Sequence, residues 1–147
     1  MSFFNFKVFS IIALLFFTFS FVQNFFFWDI SSGCFIKILP SLNLSNSKIR
    51  EALTVLKNAS PDNLKEVCKR VSTIDPNVSC GGFEGGCFEK ISKRISVDTS
   101  SYSIATVAQV IVHEACHVRQ GDEKRPFSEP ECHQAGYQVL NDLVMYK

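Results

Sequence analysis

The segment His113-Glu114-Ala115-Cys116-His117 sets two imidazoles four residues apart, with a carboxyl group beside the first. The surrounding apolar residues Ile104, Val107, Ala108, Ile111, Val112 and Ala115 recur at helical spacing. On a helix, side chains at i and i+4 share a face, so both imidazoles can reach one tetrahedral zinc ion. Glu114 then stands where it can take a proton from a water in an open position of the metal. Zinc brings the pKa of such a water down to about 7, which makes a nucleophile available at neutral pH. The bland alternative is a helix with two surface histidines and an incidental glutamate.

Hydrolytic zinc needs a third protein ligand and an open fourth position. Glu123, Glu129, Glu131 and His133 come closely enough after the motif to compete for that role. The elements that must position them can be read from patterning. Ser101 or Ser103 caps the long motif helix, which is expected to stop near Gly121-Asp122. Ser128 begins a last helix that buries Cys132, Ala135, Val139, Leu140, Leu143 and Val144. Two short strands, Phe88 to Ile91 and Arg94 to Asp98, precede the motif, with Ile95 and Val97 on one side and Ser96 and Asp98 on the other. Further upstream, a helix starts near Ser47 with Ile49, Leu53 and Leu56 on one face. Ser60-Pro61 opens a second, carrying Leu64, Val67, Cys68 and Val71. Cys80-Gly81-Gly82-Phe83-Glu84-Gly85-Gly86-Cys87 is short enough for its two cysteines to bridge, and reads as a plain turn rather than a substrate-contacting loop.

Composition bounds the rest. The chain has 147 residues and a formal net charge of +1, which leaves no electrostatic footprint for nucleic acid. Of its 15 Phe, only Phe83, Phe88 and Phe127 lie beyond residue 35, so the apolar excess belongs to one segment. Val8 to Trp28 carries no charge and is long enough to span a bilayer as a helix. Lys7 before it and Asp29 after it keep the N-terminus cytoplasmic and send the rest across. Residues 1–29 therefore read as a membrane anchor or a signal peptide, 30–46 as a connector and 47–147 as the folded domain. Localisation is expected to be membrane-anchored with an extracytoplasmic C-terminal domain, or secreted. Six cysteines in a small exported domain read as a disulfide framework. A bridge from Cys116 to Cys132 would staple the motif helix to the last one.

The motif and the segment C-terminal to it resemble the zincin metallopeptidases, specifically the gluzincin branch, whose third ligand is a glutamate on a later helix. Glu129-Pro130-Glu131-Cys132-His133 is similar to the E-x-x-x-D pattern of thermolysin-like and CAAX-prenyl-protease-like enzymes. In those families the first Glu binds zinc and the Asp one turn later holds a ligand His. The resemblance implies an α+β fold with a minimal zincin-like core, a Zn²⁺ cofactor held by His113, His117 and Glu129, and Glu114 as catalytic base. It spans roughly residues 88–146, and His133 departs from it by replacing the Asp. Local chemistry ranks the ligands the same way: Ser128-x-x-Glu131 is a capping-box pattern that occupies Glu131 and leaves Glu129 free. Glu131 and His133 stay open as alternatives. The metzincin branch is rejected, because Gln120 stands where it needs Gly and Glu123 where it needs His. In zincins a strand before the motif helix pairs with an extended peptide, and Arg94 to Asp98 takes that place in the order. His133 can also orient or stabilise an oxyanion, and Tyr102 and Tyr137 can donate hydrogen bonds to one. The expected activity is zinc-dependent peptide-bond hydrolysis on a peptide or protein substrate. The rival expectation is a disulfide-stapled extracytoplasmic binding protein with a non-catalytic or structural zinc.

Overall fold

The computed structural model describes residues 8, 12–14, 22, 24–41, 45–76, 80–89, 91–100 and 102–146. Five strands form one mixed sheet: β1 (Phe26–Asp29), β2 (Cys34–Ile38), β3 (Thr73–Asp75), β4 (Cys87–Glu89) and β5 (Arg94–Ser96). Their order is β1-β2-β3-β5-β4, with β2, β3 and β5 mutually parallel and each outer strand antiparallel to its neighbour. Among the described residues after β1, the helices are α1 (Ser45–Ala59), α2 (Pro61–Arg70), α3 (Ile104–Asp122) and α4 (Glu129–Met145). Alternation in β2 buries Cys34, Ile36 and Ile38 and exposes Phe35 and Lys37. Ile36, Ile38, Ile74 and Ile95 carry the sheet's side of the core, and Ile49, Leu53, Leu56, Leu64, Val67, Val107 and Ile111 the helical side.

The α+β expectation is met, and the upstream helices carry the apolar residues assigned to them, except Val71, which is buried but follows α2 as its extended C-cap. Several boundaries move. Phe26–Asp29 is a strand of the domain, and Cys34–Ile38, within the expected connector, is its neighbour. An unbroken apolar run hides a strand, because Phe27 and Asp29 turn inward while Phe26 and Trp28 turn out with no polar alternation to mark it. Most of Val8 to Phe25 lies outside the described residues, and among the described residues no helix is long and apolar enough to cross a membrane. Strand β5 is internal; the edges of the described sheet are β1 and β4, and β4 is the one beside the motif helix. Val144 is exposed, since α4 packs mainly through Cys132, Gly136 and Val139.

Asp29 organises the first hairpin. Its carboxylate accepts from Ser31 and Ser32 Oγ and from Lys57 Nζ, at 2.7 to 2.9 Å, tying the β1–β2 turn to α1. The Lys57 contact, then the two serines, hold its pKa well below the ordinary 3.8. A depressed folded-state carboxyl stabilises the fold above its unfolded pKa, and that contribution fades as pH falls through the folded value. Asp29→Asn should therefore lower the melting temperature at neutral pH and flatten its acid decline below about pH 3.8. Thermal unfolding as a function of pH checks this; parallel curves for the two proteins would contradict it.

Candidate metal centre

Two helices and two disulfides position the site. Ser103 caps α3 by accepting from the Thr106 backbone N–H, and the helix then runs through His113 to Asp122. Helix α4 closes against it, and Gly136 permits the approach: a Cβ there would lie 3.1 Å from Gln109 Cγ and 3.7 Å from His113 Cβ. A Cys116–Cys132 disulfide joins the two helices, as expected. With its ends 16 positions apart in sequence, that bridge contributes about 3 kcal/mol in the chain-entropy account. Cys80–Cys87 and Cys34–Cys68 complete the set, so all six cysteines are bridged and no thiolate competes for a metal.

His113, His117 and Glu129 converge. The two Nε2 atoms are 3.2 Å apart. The Glu129 carboxylate straddles them, with Oε2 3.3 Å from His113 Nε2 and Oε1 3.3 Å from His117 Nε2. A tetrahedral ion with bonds of 2.0–2.1 Å requires donors about 3.3–3.4 Å apart. The two imidazole nitrogens lie close to that edge, and one donor atom from each of the three residues lies within 4.8 Å of the others, so these residues can hold a metal ion. Both histidines are buried, whereas Glu129 is 64% exposed, which opens the site to solvent on the α4 side. Burial first, then the neighbouring His117 and His133, lower the His113 pKa to about 4, keeping it a neutral ligand. Its Nδ1 is buried without a hydrogen bond of normal geometry, the Cys132 backbone being the weakest influence on it.

Gln120 is a positioning residue that the motif alone does not reveal. It is fully buried, and its Oε1 lies 3.2 Å from His117 Nδ1 and accepts from the Ser128 backbone N–H at 3.1 Å. Its Nε2 donates to the Ser128 carbonyl and to Glu131 Oε2. This network assigns the amide oxygen to His117, so Nδ1 carries the proton and Nε2 keeps its lone pair for a metal. Glu131 is locked in turn by Arg125, through both guanidinium nitrogens, and by Arg119 at 2.7 Å. Arg125, then Gln120, hold its pKa down to about 2. The expected capping box is absent: the Ser128 side chain makes no cap hydrogen bond, because Glu131 is drawn toward the arginines. Glu131 still has a structural role, and it is not among the converging ligands.

Glu114 is buried beneath the glycine loop. Burial, with the charge of Glu129 as second cause, pushes its pKa up to about 8. A Cβ on Gly86 would fall 2.5 Å from Glu114 Oε1 and 2.7 Å from Val110 Cγ1. The loop is a turn, as its composition suggests, and Gly86 in it leaves the space beside the Glu114 carboxylate. Gly86→Ala should displace Glu114, leave metal content intact and cut any turnover by about 100-fold, the scale of a misplacement near 1 Å. Paired metal analysis and rate measurement check this; an unchanged rate would contradict it.

Aromatic rings enclose the histidines. Phe83, in the turn Phe83–Gly85, stacks on His113 at 4.5 Å and meets His133 edge-on at 4.6 Å. Phe88 of β4 stacks on His117 at 5.2 Å, and Phe127 leans on Phe88. His133 sits beside the cluster, its Nε2 3.9 Å from Glu129 Oε2, and Tyr137 stacks on its outer side. Tyr102 is engaged elsewhere: its hydroxyl bonds Glu84, the first cause of its raised pKa. The chain matches no protein-family model, no curated protein and no solved structure.

Proposed function

We propose that this chain is a zinc-dependent peptide hydrolase that works outside the cytoplasm, secreted or anchored through its apolar N-terminal run. The observation that carries the reading is the convergence of His113, His117 and Glu129, with the two Nε2 atoms 3.2 Å apart and a different Glu129 oxygen 3.3 Å from each, beside the buried Glu114. Two nitrogens and one carboxylate, with no sulfur, suit zinc in a site that keeps an open position. When bound, zinc supplies a Lewis acid toward the substrate carbonyl and a water of lowered pKa. Glu114 takes the proton of the attacking water and delivers it to the leaving amine nitrogen. Gln120 holds His117 in the tautomer that binds through Nε2, the orienting work done in gluzincins by the Asp that His133 replaces here. His133 and Tyr137 face the open side, where either can donate to the carbonyl oxygen as it gains charge. An extended substrate can pair with the free edge of β4, whose Phe88 touches His117.

Six bridged cysteines support an oxidising compartment. The rival, a structural zinc in a binding protein, needs a fourth protein ligand, and among the described residues three converge. Incubating the full chain with a library of quenched fluorogenic peptides tests the proposal. The expected result is cleavage that a zinc chelator abolishes and added zinc restores. Cleavage indifferent to chelation, or a zinc-loaded chain that cleaves none of the library, would overturn it.

A further inference from the structure

The β1–β2 hairpin has an outer face that the core does not use. Trp28 and Phe35 stand directly opposite each other on it and are 44% and 61% exposed. Phe26 stacks on Phe35 at 5.4 Å, and Ile30, at the turn, is 94% exposed. The apolar patch stops there. Along the same face the register continues through Lys37, Thr73, Arg94 and Glu89, all polar.

Two observations identify what this patch meets. Residues 8 to 25 contain no charge and lead into β1 without a linker. The entry point is also pinned: Asn46 Nδ2, on buried Asn46 of α1, donates to the Asn24 carbonyl at 3.2 Å and to the Leu39 carbonyl at 3.0 Å. In the anchored form of the reading above, on which this inference rests, an apolar run of about 18 residues seated in a bilayer leaves the hairpin no slack to stand off from the surface. The patch has the composition of a membrane interface, with Trp and Phe at headgroup depth and Lys37 able to extend toward phosphate. Depth is bounded, because an edge strand must keep polar partners for its outward backbone groups and so stops at the headgroups.

We infer that the outer face of the β1–β2 hairpin, with Phe26, Trp28, Ile30 and Phe35, rests in the headgroup region of a phospholipid bilayer and fixes the domain's orientation on it. One consequence rests on the hydrolase reading. The metal centre lies beside β4, four strand spacings from β1, roughly 19 Å at about 4.8 Å each. Phe88, stacked on His117, also lies on the core face of the sheet with Ile95 and Ile74, opposite the hairpin's outer face, so the centre faces away from the bilayer and takes substrates from the aqueous side rather than from within the lipid.

Trp28 is the only tryptophan of the chain, which makes the test direct. The full chain is reconstituted into phosphatidylcholine–phosphatidylglycerol vesicles that contain lipids brominated near the headgroup end of the acyl chains. Because Trp28 adjoins the apolar run, two variants separate the hairpin from the run. Both carry Trp28→Phe; one adds Phe35→Trp on β2, the other Ile91→Trp in the β4–β5 turn, at a position 96% exposed. The expected result is loss of most fluorescence in the Phe35→Trp protein and little change in the Ile91→Trp protein. Equal quenching of both, or of neither, overturns the inference. So does an indole at position 35 that is shielded from aqueous iodide yet untouched by brominated lipid, since a second copy or a folded-back segment would then cover the patch. None of these readouts uses zinc or activity, so failure here leaves the hydrolase reading standing, and the reverse.

Discussion

Glu114→Gln should abolish peptide cleavage and leave the metal in place. In the proposed mechanism the carboxylate transfers a proton and is not among the converging ligands, so its neutral isostere removes chemistry without removing a ligand. General-base contributions are about 10²–10⁴-fold, and the loss should fall at the upper end because the buried Glu114 has no described carboxylate in the site to replace it except Glu129, which the metal occupies. Gln also fits the space under Gly86 that Glu114 fills, so folding and metal content should match the parent. Rate assays on protein of measured zinc content check this. A Gln variant that retains full activity would remove Glu114 from the mechanism.

Changing the ligands has a different signature. His113→Ala, His117→Ala and Glu129→Ala should each lose both zinc and cleavage, because two remaining donors cannot hold a tetrahedral ion well. Supporting residues should grade below this. Gln120→Ala frees the His117 ring and should weaken zinc affinity by about 10–100-fold, as outer-shell losses typically do. Glu131→Ala should retain zinc at saturating concentration. Competition with a chromogenic chelator measures all five. Zinc that stays in the Glu129 variant and leaves in the Glu131 variant would reverse the ligand assignment.

How much of the site is legible in the sequence differs by residue. The i, i+4 histidines and the helix around them are plain, because one helix carries both the pattern and the ligands. Glu129 is reachable only through its position one turn before His133 on the next helix. Gln120 lies three residues beyond His117 and so on the same face, but nothing in its type distinguishes an orienting amide from an ordinary buried one. The capping-box reading of Ser128 and Glu131 fails because two arginines, Arg119 and Arg125, outcompete a backbone N–H for the carboxylate. The glycine loop is legible as a turn, but what it packs against is not. Gly86 leaves the space that Glu114 fills, 28 residues downstream, and no local pattern records such an approach. Strand order is likewise hidden: β5 sits inside the sheet because it pairs in parallel with β3, a pairing set by tertiary packing.

Zinc-edge X-ray absorption on the purified full chain tests the central claim most directly. The account predicts one zinc per chain with nitrogen and oxygen scatterers at about 2.0–2.1 Å, an imidazole signature from two histidines, and no sulfur shell near 2.3 Å. A chain that binds no zinc, or a zinc surrounded by sulfur, would contradict it.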